Sequence, residues 1–189
     1  MSLAYVDLGT ALSRGAPELG REAEDDRLVA TMRDISPVPV REKQRVVMEV
    51  TQLLREVGTS PRVCNAAAIL LTDLIGRDAQ DDIVAVLRRP GSAKSSGSLL
   101  FALNEVGASI PLDLALRLIE GGSLEAQGEV LTLLEDGRVS PLDAETIFGA
   151  KATLASLKDH DDPKVVHAAE MALEYLDDLA PEASPRPSI

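Results

Sequence analysis

Along most of the chain apolar residues return every three or four positions with polar residues between them, the pattern of helices buried on one side. The segment 41–57, "REKQRVVMEVTQLLREV", places Val46, Val47, Val50, Leu53, Leu54 and Val57 on one stripe, and Gly58 follows as a C-cap. Upstream, "SLAYVDLGTALS" and "PELGREAEDDRLVATMRDI" read as two further helices, the second opened by Pro17. "SPVPV" (36–40) holds too much proline to continue either neighbour and is predicted to be a rigid connector. The last stretch, "PEASPRPSI" (181–189), has little to bury and is predicted to be a disordered tail. Strand signals are nearly missing: no Asn-Gly hairpin turn occurs and alternating apolar stretches are few.

The helical pattern repeats itself. Residues 60–71, "SPRVCNAAAILL", echo residues 162–173, "DPKVVHAAEMAL". Each opens with a side chain able to accept from free backbone N–H groups, and proline follows at the first helical position, where its missing N–H costs nothing. Two further frames, at 92–103 and 122–133, read "SAKSSGSLLFAL" and "GSLEAQGEVLTL". Across the four frames one position is always small (Ala66, Ser98, Gly128, Ala168) and another is always leucine (Leu71, Leu103, Leu133, Leu173). The small side chains are expected to lie tucked against adjacent helices, with the leucines filling the grooves beside them. A second element repeats as well. Gly107–Asp113 and Gly137–Asp143 share the form G-x-x-x-P-L-D, which predicts a glycine-closed helix, a short turn and a second helix begun by proline. "DDIVAVLRR" (81–89) matches "DLALRLIEG" (113–121), and the last second helix is expected to extend through 143–159.

Units of this length are stacked helical hairpins, none able to bury its apolar face alone. The predicted fold is therefore all-α, an α-α superhelix of stacked hairpins. Residues 1–40 would form the N-terminal helices, capping elements by the polar-end rule for such arrays, with the array at 41–180 and the tail at 181–189. The stretch 161–176, "DDPKVVHAAEMALEYL", resembles the helix of a HEAT repeat in the short form common in bacterial proteins, through Asp162, Pro163, Val165, Ala168, Ala169, Ala172 and Leu173. Val166 stands where that form usually carries arginine. The resemblance is good over 161–176, fair over 60–89 and weak over 92–158, and it does not cover the first 59 residues. It implies a curved superhelix that grips other macromolecules, and no particular activity.

Composition sharpens this picture. The chain is 45% hydrophobic but only 2% aromatic, so its core must be aliphatic and its helices closely spaced. No apolar run approaches the roughly 18–20 residues that cross a bilayer, and Asp7 sits where a signal peptide would carry basic residues. One cysteine forms no internal disulfide, and a cytoplasmic protein is expected. The net charge of −12 is uneven: residues 91–189 carry 7 basic and 17 acidic side chains, whereas 37–90 carry 8 and 7. Such a field repels phosphate backbones, so nucleic acid is not the expected partner and a basic protein is.

Chemistry is sparse. "PGSAKSSGS" (90–98) lacks the spacing and the preceding strand of a phosphate-binding loop, and reads as a connector between repeats. His160 and His167, with Asp159, Asp161 and Asp162, are poorly spaced for one metal ion, and "DHDD" reads as a solvated turn and N-cap. Cys64 sits in an apolar phrase and is expected in the core. Asp113, Asp143 and Asp162 are explained by helix N-termini. Capping does not require Glu129, Glu135, Asp136, Asp159 and Asp161, which are the candidate partner-binding residues. The expectation is a non-enzymatic protein-binding module without cofactor or metal. A small acidic chain of helical repeats resembles bacterial immunity proteins that neutralise toxins, and that resemblance implies a basic toxin as partner. A scaffold or adaptor is the alternative. An enzyme like the HEAT-like DNA glycosylases is disfavoured by the charge.

Overall fold

A computed structural model describes residues 21–35, 38–56 and 58–179. The expected helix over "SLAYVDLGTALS", the opening Pro17 and the tail lie outside the described residues, as does Val57. The fold is all-α. The chain divides into two compact units, Met1–Arg89 and Pro90–Ile189.

In the first unit α1 (Arg21–Asp34), α2 (Val40–Arg55), α3 (Pro61–Ile75) and α4 (Gln80–Leu87) pack so that α1 and α2 lie on α3, and α2 also lies on α4. The α2 stripe is buried at Val46, Val50, Leu53 and Leu54, each side chain contributing about 1.5–3 kcal/mol by leaving water. Helix α2 begins at Val40, inside the expected connector, because Pro39 ahead of it fixes an extended backbone at the N-cap. It ends at Arg55, earlier than Gly58, which takes a left-handed φ of 99° beyond it. Helix α3 starts as its sequence dictates: Ser60 Oγ accepts from the Val63 N–H and Pro61 takes the first helical position.

The second unit holds α5 (Gly97–Glu105), α6 (Leu112–Gly121), α7 (Leu124–Glu135), α8 (Ala144–Ser156) and α9 (Pro163–Asp178). Helix α5 packs on α7 and α7 on α9, while α6 packs on α8; α9 lies over both α6 and α8. Each helix thus meets the helix two places along, as stacked hairpins require. Helix α9 repeats the start of α3, with Asp162 accepting from the Lys164 N–H at 2.9 Å and Pro163 at the first position. Helix α8 runs on through a 3-10 turn at Leu157–Asp159, matching the expected long second helix.

The middle frames start later than their sequence alignment. Residues 92–95 form a 3-10 turn, and α5 begins only after Ser96, whose hydroxyl donates to the Ala93 carbonyl. Helix α7 is capped by Ser123, whose Oγ accepts from the Ala126 N–H at 3.2 Å. Counted from these caps, the inward positions agree: Val63, Cys64 and Ala67 in α3 correspond to Leu99, Leu100 and Leu103 in α5, and to Ala126, Gln127 and Val130 in α7. The slip, four residues at α5 and one at α7, corrects the small-residue reading. Ala168 is buried and Ala66 and Ser98 are half-buried, but Gly128 is exposed, with open space where a Cβ would stand. Leu71, Leu103 and Leu133 are fully buried, and Leu173 only half.

Both G-x-x-x-P-L-D turns close alike. Gly107 and Gly137 adopt φ of 63° and 65°, which places the Ala108 and Arg138 N–H groups on the Leu103 and Leu133 carbonyls. A side chain at either position would be strained. The prolines do not begin the helices, however. Pro111 is the N-cap of α6, while Pro141 precedes the Asp143 cap of α8, whose carboxylate accepts from both the backbone and the hydroxyl of Thr146. Between the turns a two-residue parallel pairing forms, β1 (Ile110–Pro111) on β2 (Val139–Ser140), with no signal in the sequence.

Candidate functional site

Helices α5, α7 and α9 run parallel. Gly97 abuts the Glu125 side chain at their starts, Asn104 reaches Glu129 further along, and Gly137 meets Leu179 beyond the ends of α7 and α9. Their C-terminal ends therefore share one edge of the unit, the edge that also carries the Gly107 and Gly137 turns. Glu105, Glu135 and Asp178 are the last residues of the three helices, and all are exposed. None of the three takes part in an ion pair among the described residues. Asp113 and Asp143, at the starts of α6 and α8, extend the same edge.

Helix C-termini carry partial negative charge, so acids there are unfavourable, whereas cations would be stabilising. None of α5 to α9 has a basic residue in its last turn. Two cations relieve the edge in part. Arg138, mostly buried, donates to the Asn104 carbonyl at 3.1 Å and to Asp136 Oδ2 through Nε and Nη2. Lys151 pairs with Asp177 at 2.5 Å. The field is felt by Tyr175, whose hydroxyl pKa is raised above the ordinary tyrosine value by desolvation and by the charges of Glu135 and Glu174. Asp143 is held below the ordinary carboxylate value by its hydrogen bonds to Thr146, backbone first.

The five candidate acids are not brought together. Glu135 and Asp136 lie at this edge, but Asp136 is engaged by Arg138. Glu129 sits half-buried within α7, where its carboxylate accepts from Asn104 Nδ2 at 2.5 Å. Asp159 and Asp161 are exposed at the opposite end, before α9. There, an open cleft of about 540 Å³ is lined by Lys94, Gln127, His160, Asp162 and Lys164 among others. His160 Nδ1 accepts from the Asp162 N–H, so "DHDD" is a turn and N-cap. The edge acids missed by sequence reasoning, Glu105 and Asp178, are legible only once the helices are known to be parallel.

Cys64 is buried, and burial raises its thiol pKa against the opposing pull of Arg89. Among the described residues no group of three or more His, Cys, Asp or Glu side chains is arranged to hold a metal ion. No helix of the described residues is long and apolar enough to cross a membrane. The chain matches no protein-family model, no curated protein and no solved structure.

Proposed function

We propose that the protein is a non-enzymatic binding module that docks a basic protein through the acidic edge of its second unit. One observation carries the reading: Glu105, Glu135 and Asp178 end three parallel helices at positions where their charge opposes folding. Charges placed against stability in this way are suited to a surface kept for recognition. An immunity-type inhibitor, covering the phosphate-binding face of a basic toxin, is the particular form that this charge favours. The HEAT-like resemblance of α9 supports the same class by analogy of architecture.

The test is affinity purification of the full chain from its native cell, with bound proteins identified by mass spectrometry. The wild type should retain a basic protein that elutes as salt rises, and the triple variant Glu105→Lys/Glu135→Lys/Asp178→Lys should lose it. Equal retention by the variant overturns the reading. A scaffold is the second reading, favoured by a separate apolar surface on the first unit, where Val40 and Met48 of α2 are 91% and 66% exposed.

A further inference from the structure

Helix α8 is apolar on two sides. Ile147, Ala150 and Leu154 are buried, yet Ala144, Phe148, Ala152 and Ala155 form a second stripe in solvent at spacings of one helical turn, with Phe148 76% exposed. The corresponding helix α6 instead exposes Asp113, Arg117 and Glu120. The ion pair from Lys151 to Asp177 ties this flank of α8 to one flank of α9. Along that flank of α9 lie the exposed Glu170, Glu174 and Asp177, with half-buried Leu173 beneath them.

Leu173 explains what is missing. The leucines aligned with it in sequence within the same unit, Leu103 and Leu133, are fully buried, each in a helix packed by the helix two places along. Among the described residues no helix follows α9 to cover Leu173. The flank of α8 and α9 is thus the place of the next helix in the stack.

We propose that this place takes a basic amphipathic helix supplied by a partner protein, its apolar face on Phe148 and Leu173 and its cations on Glu170, Glu174 and Asp177. The proposal rests on the binding-module reading and names the form of the partner. Charge selects the occupant: a second copy of this chain offering the same flank would set these three acids against their own kind, whereas a cationic helix neutralises them.

The probe is a dye-labelled synthetic helical peptide of about 18 residues, five turns, patterned in Leu and Lys, with a Leu/Glu peptide as control. Binding to the full chain is read by fluorescence anisotropy. The wild type should bind the Leu/Lys peptide and not its Leu/Glu counterpart. Phe148→Asp should weaken binding roughly tenfold or more even though it adds negative charge, and Glu170→Lys/Glu174→Lys should do the same. Both changes are on the surface, and circular dichroism checks that the variants fold. Unchanged or tighter binding by Phe148→Asp would mean adsorption by charge alone and overturns the proposal. So does wild-type dimerisation in sedimentation that Phe148→Asp abolishes, or displacement of the probe by a peptide of residues 180–189. If the Leu/Lys peptide fails to bind while the edge variant still loses its native partner, this inference falls and the binding-module reading stands. If the peptide behaves as expected but the edge variant keeps its partner, the edge falls and the α8/α9 flank stands.

Discussion

The two units place charge at their helix ends differently. In Met1–Arg89, with 12 basic and 14 acidic side chains, Arg33 stands in the last turn of α1, just ahead of its terminal Asp34, and Arg55 closes α2. Arg89 reaches back to donate to the Leu54 carbonyl at 2.7 Å. Arg55 also pairs with Asp82 in the first turn of α4, so both partners suit their helix ends. In Pro90–Ile189, with 7 basic and 17 acidic side chains, acids close α5, α7 and α9, and Arg138 plays the part that Arg89 plays in the first unit. The first unit sets a cation in the last turn of α1 and of α2, and none of α5 to α9 in the second does so. Charge in the first unit is a folding device, and in the second it is surface chemistry laid over a fold held by aliphatic burial.

Substitutions of opposite sign sharpen this contrast. The largest effect is expected at the two arginines. Arg89→Ala and Arg138→Ala each strip hydrogen bonds from helix-end carbonyls and should cost about 1–3 kcal/mol in denaturant unfolding. Equal tolerance of both changes would remove the parallel between them. Next comes Gly128→Ala, which meets open space at an exposed position of α7 and should stabilise by about 0.5–1 kcal/mol. A loss instead would restore the packing role that sequence reasoning gave this glycine. Glu135→Lys should stabilise by about 0.3–1 kcal/mol at low salt, less in high salt, while weakening partner capture. Destabilisation there would mean that the edge acids support the fold. Smallest is Asp143. Its folded pKa lies below the ordinary carboxylate value, so its contribution is present above the unfolded pKa and disappears as pH falls through the folded one. Asp143→Ala should therefore lower the melting temperature at neutral pH and flatten its decline into acid.

What could be read from sequence divides along physical lines. Ser60-Pro61 and Asp162-Pro163 announced their helices because cap and proline act within one turn. Gly107 and Gly137 did so because a left-handed φ is a local demand. The starts of α5 and α7 were less legible, since no proline pins them and the phase is set by Ser96 and Ser123. The β1–β2 pairing joins two turns that neither periodicity nor composition connects. Among the candidate acids, Glu129 and Asp136 meet Asn104 and Arg138, partners that become neighbours only on folding and carry no local signal. The edge itself depends on three helices sharing one direction, which no local signal encodes.

That shared direction has a kinetic consequence. Three aligned peptide dipoles, each worth about half an elementary charge at its tip, add to the carboxylates there and give the second unit a negative pole. In solution such a pole exerts torque: a cationic body drifting past at a distance comparable to the Debye length is turned to face it before any atoms touch. Arrival should therefore slow steeply as ionic strength rises, while the lifetime of the complex, governed by close contact, changes little.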